Sequence, residues 1–582
     1  MNRSSSQRRR LRARRARMEV LREADSGFDA TVPAMGVRMT ENVEGWVDLL
    51  HHEPLAPVAT ETLRAALRFA FESGDAGGML TMAVDQAPVA PSTWDPEGFQ
   101  GGLFLEELLE ASFTISIEGQ RYLPSAAHLG RVLAHPPDDI RDVELRQEVL
   151  RELVDKPALR TAVEKTYIAL HTLRSLLDEQ PMSPGETVRR KVEVLQTLRR
   201  FFDSAADGLQ GATSALARLQ SFAEQARGHA AYGRLQQILD FDDNMANVEV
   251  RVVLGSDGKI RDFQLLEARE NTANPLVRSP WLRAWSRFRA WIRGYRYGEN
   301  EVLLKVIDEV FEELEDMVLP CFRLVGDLEV YLASLAFRDR AKREGLEVSL
   351  PVLEATPAED APPGPLKLTQ LFNPLLFLQG ITPVPCDIDA AGHDSIVLVT
   401  GPNSGGKTRL LQALAYAQLF GQNGLFVPAK SAHLTRAPTM FVSLVEEAAS
   451  DQKEGRLGTE LLRVRHLFER LQPGSVVILD ELCSGTNPSE GIAIFEMVIS
   501  LLPRLRPQVF LTTHFLDAAR KLADELPVPR LSFLQVELDD DAKPTFQFVA
   551  GVAPTSLAQQ VAARLGVTHE ELEALVKAKE DA

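Results

Sequence analysis

Apolar residues recur at helical spacing through the first half of the chain. Between 142 and 178, residues such as Leu159 and Val163 follow one another at intervals of three and four, which places them on one face of a helix. Pro181 and Pro184 interrupt this pattern, and a second apolar stripe begins a few residues later. The pattern predicts two long helices joined by a short turn, which would form an extended antiparallel arm.

The spacing of apolar residues changes near residue 248. The runs VEVRVVL and IRDFQLL read as strands, and the Asp-Gly pair between them supplies the positive backbone angles of a tight turn, so a β hairpin is expected near 248–266. A helical pattern returns from 301 to 345. It ends before a segment with four prolines from Pro357 to Pro365, which indicates a linker or loop.

The segment after the hairpin combines an aromatic stripe with many arginines. Trp281, Trp285 and Phe288 repeat at four- and three-residue spacing, and residues 271–298 contain no acidic side chain. One interpretation is a helix that packs by its aromatic side chains and offers arginines to a phosphate backbone. The other is a core helix whose arginines lie on the surface and pair with the carboxylates of 299–316. The candidate DNA contacts are Arg283, Arg287, Arg289 and Arg293.

Charge is distributed unevenly along the 582 residues. The net charge is -18, but residues 1–17 hold eight arginines and no acid, which leaves -26 for the rest. We therefore expect a basic disordered tail at 1–25 and an acidic body, whose DNA contacts would be confined to patches. No apolar run approaches the roughly 18 residues of a membrane span, so no membrane contact and a cytoplasmic location are expected. The 3 cysteines form no CxxC pair, which excludes a zinc site built on thiolates.

The first of three motifs that carry chemistry lies at 396–408. The apolar run from Ile396 to Val399 predicts a buried strand, and GPNSGGKT follows it. Glycines at this spacing let consecutive backbone N–H groups turn inward around phosphate oxygens, and the helix that starts near Lys407 adds its positive end. Lys407 would reach the terminal phosphates, and Thr408 would bind Mg²⁺. The predicted nucleotide-binding residues are Gly401, Pro402, Asn403, Ser404, Gly405, Gly406, Lys407 and Thr408.

Two further apolar strands each end in residues suited to catalysis. The apolar strand within SVVILDEL ends in Asp480 and Glu481 and is expected beside the strand at 396–399, and the apolar strand within QVFLTTHF ends in His514. Asp480 would hold the Mg²⁺ shell, while Glu481 would orient and deprotonate the attacking water. A neutral imidazole at His514 would hydrogen-bond the γ-phosphate or the water and report hydrolysis to the rest of the domain. We predict catalytic roles for Glu481, His514 and Lys407.

The three motifs in this order resemble those of the MutS family of DNA mismatch repair and recombination ATPases, a branch of the ABC-type ATPases. The resemblance rests on TGPNSGGKT, VVILDELCSGTNPSEG and LTTHF, with NPLLFLQ and VPCDI before them. It implies an α/β P-loop ATPase domain at the C-terminus, preceded by a mostly α-helical lever and clamp region with a small β-hairpin insertion. It also implies ATP and Mg²⁺ as cofactors. The expected organisation is a basic tail at 1–25, a helical region at 40–350, a Pro-rich linker at 351–365 and the ATPase domain at 366–582.

The resemblance also implies a homodimer, because the ATPase domains of the family act in pairs that complete each other's sites. The family's Ser-Thr-Phe signature is replaced here by DQKEGRLGTELL, and a polar loop follows the two acids. Its Phe-x-Glu mismatch-reading motif has no counterpart in this sequence, which predicts a shortened member without the N-terminal mismatch-recognition domain. The candidates for contact with a second subunit are Gly458, Thr459, Ser484, Gly485, Thr486 and Asn487.

Two functions remain open from the sequence. In the first, ATP binding and hydrolysis close a dimer on mismatched, branched or duplex DNA during repair or recombination, which the motifs and the basic helix favour. In the second, a MutS-derived ATPase switch grips a protein partner without recognising DNA, which the acidic body and the missing mismatch motif favour. An ATP-binding protein without turnover is a third interpretation, and it requires that Glu481→Gln leaves turnover unchanged.

Overall fold

A computed structural model gives the architecture of the chain. The residues that it describes are 46–55, 60–73, 78–178, 184–245, 248–254, 260–268, 299–356, 364–390, 392–444, 455–483, 487–525, 528–554, 567 and 569–580. Several features expected from the sequence lie outside these residues. They are the tail at 1–25, most of the Pro-rich segment, the loop residues Ser484, Gly485 and Thr486, and the candidate DNA contacts Arg283, Arg287, Arg289 and Arg293.

The first half of the described chain is mainly helical. In chain order its helices are α1 (Thr60–Ser73), α2 (Met79–Asp85), α3 (Gln100–Leu103), α4 (Leu105–Ser112), α5 (Ala126–Ala134), α6 (Ile140–Asp155), α7 (Pro157–Asp178), α8 (Pro184–Gly208), α9 (Leu216–Gly228), α10 (Ala230–Met245) and α11 (Glu299–Arg343). A short hairpin of β1 (Ile115–Ile117) and β2 (Gln120–Tyr122) lies before α5. A second antiparallel pair, β3 (Val248–Leu254) and β4 (Ile260–Ala268), occupies the segment where the sequence predicts a hairpin.

The apolar stripe of 142–178 is not one helix, as the spacing had suggested, but two. Helix α6 ends at Asp155, and α7 begins at Pro157. Proline has no backbone N–H and clashes with the carbonyl four residues earlier, so it starts a helix more readily than it continues one. Lys156, whose N–H still bonds the Glu152 carbonyl, turns the chain between the two helices.

Helices α7 and α8 form the expected antiparallel pair, but they belong to the core and do not project as an arm. Gly208, at the end of α8, lies so close to the start of α7 that a Cβ there would meet the Ala162 Cβ at 2.8 Å. Val163 and Phe202 are fully buried. The phenol of Tyr167 in α7 donates to Glu329 of α11 at 3.2 Å, so the long helix α11 packs against the pair.

The second half of the described chain builds two sheets with helices between their strands. Its elements are β5 (Val352–Glu354), β6 (Leu366–Leu371), β7 (Cys386–Ala390), β8 (Ile396–Thr400), α12 (Lys407–Gln422), β9 (Ser431–Thr435), β10 (Met440–Ser443), α13 (Gly455–Arg470), β11 (Val476–Leu479), α14 (Pro488–Leu501), β12 (Gln508–Thr512), α15 (Leu516–Glu525), β13 (Leu531–Leu538), β14 (Pro544–Ala550) and α16 (His569–Glu580). The smaller sheet has the order β5-β9-β6-β7.

The larger sheet has the order β10-β11-β12-β8-β13-β14, parallel except for the last pair. Every residue of β8, β11 and β12 is buried, as expected for continuous apolar runs in a parallel sheet covered on both faces. The expectation that the strand before Asp480 lies beside the P-loop strand is wrong. Strand β12, which precedes His514, lies between them. All three strands nevertheless end at the same edge of the sheet, because they are parallel.

One hydrophobic cluster runs through the helical region and both sheets and includes Val397 and Val399, while a second cluster contains Ile396 and Leu398 of the same strand. The indole of Trp94 donates to the Ala437 carbonyl at 2.9 Å. At the far end of α12, the buried guanidinium of Arg146 donates to both the backbone and the side-chain oxygen of Asn423, at 3.2 and 3.3 Å. The helix that starts in the P-loop is therefore anchored at its other end to the helical region.

Candidate functional site

The glycine loop at 401–406 has a shape that only glycine permits at several positions. Gly401 and Gly406 have positive φ angles of 136° and 84°, which side chains rarely adopt. A Cβ at Gly401 or at Gly405 would meet the Val536 Cγ2 at 2.7 or 2.8 Å. The loop therefore packs directly on β13, with no room for a side chain at Gly401 or Gly405.

Helix α12 begins at Lys407, immediately after the loop. Gly406 occupies its N-cap position, and no side chain accepts a hydrogen bond there. The first N–H groups of a helix carry a partial positive charge and need an acceptor, so an uncapped helix start after a glycine loop is suited to phosphate oxygens. Asn403 and Ser404 are exposed beside this helix start, whereas Pro402 is buried.

The side chain of Lys407 folds into the glycine loop. Its ammonium donates to the carbonyls of Gly401 and Pro402 at 2.9 and 3.1 Å, and the residue is buried. Burial lowers the pKa of Lys407, while the carboxylates of Glu481 and Asp480 act in the opposite direction. The positive charge thus lies inside the loop and close to both acids.

Thr408 and Asp480, the two predicted Mg²⁺ ligands, are in direct contact. Thr408 Oγ1 donates to Asp480 Oδ2 at 2.6 Å. The other oxygen of this carboxylate, Oδ1, accepts from Thr512 Oγ1 at 2.5 Å, and Thr512 Oγ1 accepts in turn from the Glu481 N–H at 2.8 Å. One hydroxyl at the end of β12 therefore holds both acids, a role that sequence reasoning missed. The sequence did contain a signal for this role, since the hydroxyl of Thr512 directly follows the apolar residues of QVFLT.

Glu481 and His514 lie at the same sheet edge but are held differently. Glu481 has a φ of 46°, a costly conformation for a residue other than glycine, and it is partly exposed. His514 lies two residues beyond β12 and is exposed, with its ring centroid 4.2 Å from that of Phe515. The three sequence motifs thus end at one edge of one sheet.

Phe546 is a second residue that the sequence did not single out. It lies on β14, has a φ of 61° and is 44% exposed, although it is a large aromatic residue. A Cβ at Gly406 would lie 3.2 Å from the Phe546 Cδ1, so the ring borders the glycine loop. Exposed aromatic faces beside a phosphate-binding loop are suited to stacking on a nucleotide base.

The candidates for contact with a second subunit take different positions. Gly458 is partly exposed in the first turn of α13, where Thr459 follows it. Asn487 caps α14, because its Oδ1 accepts from the Ser489 N–H at 3.2 Å. Asn487 therefore has a local structural role, and it is also exposed.

No group of three or more His, Cys, Asp or Glu side chains that could hold a metal ion is found among the described residues. A hydroxyl and a carboxylate are oxygen ligands that suit Mg²⁺, which commonly takes one or two protein oxygens together with substrate phosphates. Thr408 and Asp480 fit that pattern, so Mg²⁺ binding here would depend on the nucleotide.

Comparison with known proteins points to one family. A family model described as MutS domain V matches residues 397–580. The endonuclease MutS2 of Thermomicrobium roseum is 30% identical over 282 residues, which cover 47% of this chain and 34% of that protein. The proteins of the same name from Thermus thermophilus and Streptococcus gordonii are 33% identical over 177 residues and 25% identical over 411 residues. The chain covers 24% and 49% of their lengths, so it spans at most about half of these relatives. Within the described residues, no helix is both long enough and apolar enough to cross a bilayer.

Proposed function

This chain belongs to the MutS family, and we propose that it binds and hydrolyses ATP at the site formed by residues 401–408, Asp480 and Glu481. The observation that supports this most directly is the 2.6 Å hydrogen bond between Thr408 and Asp480, which are 72 residues apart in sequence. It brings the hydroxyl that ends the glycine loop together with a carboxylate from another strand. Such a convergence of loop, hydroxyl and carboxylate is what a magnesium nucleotide requires.

Phosphate binding is assigned to the backbone of the loop and to Lys407. The backbone N–H groups at the start of α12 would donate to phosphate oxygens, and Lys407 would exchange its two loop carbonyls for phosphate oxygens. That exchange costs little, because the ammonium already lies within the loop and forms the same kind of hydrogen bond before and after. Ser404 and Asn403 would border the phosphates from the exposed side.

Thr408 and Asp480 would hold Mg²⁺ in place of their mutual hydrogen bond. When bound, Mg²⁺ would neutralise negative charge on the phosphate oxygens. Glu481 would accept the proton of the water that attacks the γ-phosphorus, so that the bond to the ADP oxygen breaks as the new bond to water forms. Thr512 holds the Glu481 backbone and the Asp480 carboxylate in fixed positions relative to each other, because its hydroxyl bonds both. His514 would hydrogen-bond the γ-phosphate or the water from the neighbouring strand end.

The nucleoside would lie against Phe546. The ring is exposed and borders Gly406, and its backbone has a positive φ of 61°. Stacking tolerates any base, so this contact would add affinity for nucleotide without selecting adenine strongly.

Dimer formation is part of the proposal, because helix α13, which begins within the signature segment, contacts the backbone of Asp480 through Arg463. Gly458 and Thr459 would approach the triphosphate of a second copy, and the residues Ser484, Gly485, Thr486 and Asn487 would line that contact. ATP would then close two subunits on each other, and its hydrolysis would release them. The cytoplasm is the proposed location.

DNA is the proposed partner of the dimer. The support consists of the family and the arginine-rich segment of the sequence with Arg283, Arg287, Arg289 and Arg293. The alternative is a protein partner, which the net charge of -26 outside the first 17 residues favours. The relatives are named as endonucleases, but the stretch that matches the Thermomicrobium roseum protein covers only 34% of its length, and this stretch gives no reason to assign nuclease activity to this chain.

The experiment that tests this function measures phosphate release from ATP by the purified chain, alone and with homoduplex, mismatched and junction DNA. We expect magnesium-dependent turnover that DNA stimulates and that Lys407→Ala abolishes. Lys430→Ala is the matched control, since Lys430 is an exposed lysine that pairs with Glu347 at 2.9 Å. A rate of phosphate release that none of the three kinds of DNA changes would contradict the DNA role and favour the protein partner. A chain that neither binds nor hydrolyses ATP would contradict the proposal as a whole.

A further inference from the structure

We propose that Arg463 is a positioning residue of the nucleotide site, which ties helix α13 to the backbone of Asp480 and thereby orients Glu481 for hydrolysis. The inference rests on the proposed ATPase function and adds to it a residue outside the three sequence motifs. It also gives helix α13 a part in regulating turnover.

Arg463 joins the carboxyl ends of two neighbouring strands. Its guanidinium donates to the hydroxyl and to the backbone carbonyl of Ser443, the last residue of β10. From Nη2 it also donates to the Asp480 carbonyl at 2.9 Å. The Asp480 N–H donates to the same Ser443 carbonyl at 2.9 Å. One side chain of α13 therefore fixes the backbone where β11 ends and Asp480 and Glu481 follow.

Glu460, one turn earlier in α13, holds the other end of the same segment. Its Oε2 accepts from the Cys483 N–H at 3.3 Å and lies 3.6 Å from Arg463 Nη1. The segment between these two anchors contains Glu481 and Cys483 with φ angles of 46° and 61°. Such conformations are unfavourable for residues other than glycine and persist only where the surroundings hold them. The Arg463 and Glu460 pair supplies that support from a single helix turn.

The guanidinium is suited to this place in a way that an ammonium is not. Burial lowers the pKa of Arg463, while Glu460 and Asp480 act in the opposite direction. An arginine stays protonated in proteins, and its planar fork serves acceptors on two sides at once. A lysine of similar length would keep the charge but would reach only some of the acceptors, which are the hydroxyl and carbonyl of Ser443 and the carbonyl of Asp480. The comparison of the two side chains therefore separates positioning from charge.

The position of α13 suggests what the contact transmits. Gly458 and Thr459, two of the candidates for contact with a second subunit, lie within about one and a half helical turns of Arg463. If dimer closure shifted the start of α13, the Arg463 guanidinium would pass that movement to the backbone of Asp480 and so to Glu481. Hydrolysis would then depend on the second subunit even though Arg463 contacts no nucleotide itself.

The test compares Arg463→Met, Arg463→Lys and Glu460→Gln in the full chain, with steady-state kinetics and nucleotide affinity measured for each. The control is Arg470→Met on the same helix, where Arg470 pairs with Asp95 and Glu97 at 2.9 and 2.8 Å on the surface. We expect kcat to fall about 100-fold in Arg463→Met while KM and the Kd for ATP change less than about threefold, since small misplacements of catalytic groups have effects of this size. Arg463→Lys is expected to recover part of kcat, and Arg470→Met to match the wild type.

Several results would overturn the inference. One is an Arg463→Met variant with the kcat of Arg470→Met. Another is a parallel loss of ATP affinity and kcat, which would show that Arg463 supports the structure of the site in general and has no specific effect on hydrolysis. If Arg463→Met does not fold, the other two variants decide, and wild-type kcat in both rejects the role of Arg463. A wild-type chain without turnover fails at the proposed function, before any variant is compared.

Discussion

The hydroxyl of Thr512 is a single group that serves both acids of the proposed site. Its Oγ1 accepts from the Glu481 N–H at 2.8 Å and donates to Asp480 Oδ1 at 2.5 Å, and the residue is fully buried. Valine has a similar shape but no hydroxyl. Thr512→Val therefore removes both hydrogen bonds and leaves a buried amide and a carboxylate oxygen without this partner.

The size of the effect follows from the two bonds. A hydrogen bond between neutral groups contributes about 1 kcal/mol, and one to a charged group about 1.5 to 3 kcal/mol. Together they predict a loss of about 2 to 4 kcal/mol in the free energy of unfolding. If the full value of the bond to Asp480 is realised only in the transition state, kcat falls roughly ten- to a hundredfold, since each 1.4 kcal/mol is about a factor of ten.

Steady-state phosphate release at saturating ATP and urea unfolding test this prediction together. The control is Thr435→Val, because Thr435 is also buried at the end of a strand and its hydroxyl donates to the Pro365 carbonyl at 3.0 Å, away from the acids. The control is expected to lose about 1 kcal/mol of stability and to keep its kcat. A Thr512→Val variant that is destabilised but hydrolyses ATP as fast as this control would refute the reasoning.

Three further predictions concern the loop, the base and the core. Gly405→Ala is expected to abolish ATP binding, because its Cβ would lie 2.8 Å from Val536 Cγ2, and unchanged affinity for a fluorescent ATP analogue would contradict this. Phe546→Ala is expected to weaken the same binding roughly tenfold and Phe546→Tyr to preserve it, since stacking contributes about 1 to 3 kcal/mol per base. Burial and then Arg131 lower the pKa of His128 from 6.5 to about 3. Because His128 stays neutral in the folded state but binds a proton in the unfolded chain, it lowers the stability of the protein as the pH drops from 6.5 towards 3. His128→Leu is therefore expected to flatten that decline between pH 7 and 5 in urea unfolding.

The local part of the nucleotide site could be predicted from the sequence. A strand, a glycine loop and a helix follow one another at 396–422, and the backbone angles of the loop depend on the glycines themselves. The acids and the histidine were expected at strand ends because apolar runs stop directly before them. These features require only neighbouring residues, so their spacing is enough.

The long-range contacts could not be predicted in the same way. The position of β12 between β8 and β11 depends on how the strands pair, and nothing in the three apolar runs distinguishes one order from another. Phe546 and Val536 reach the loop from strands more than 100 residues later, through packing that leaves no periodic signal. Arg463 lies on a helix that reads as an ordinary amphipathic element. The break at Pro157 differs, because the proline rule was sufficient to find it.

The central claim is that the glycine loop, Thr408 and Asp480 hold one metal-bound triphosphate. It is tested most directly by the anomalous signal of Mn²⁺ in crystals of the Glu481→Gln variant grown with ATP, where hydrolysis would be blocked. The account predicts one Mn²⁺ ion bound to Thr408 Oγ1 and to the Asp480 carboxylate, with the triphosphate enclosed by residues 401–408. A nucleotide bound elsewhere, or a loop that stays empty beside an intact Thr408 to Asp480 hydrogen bond at saturating ATP, would contradict it.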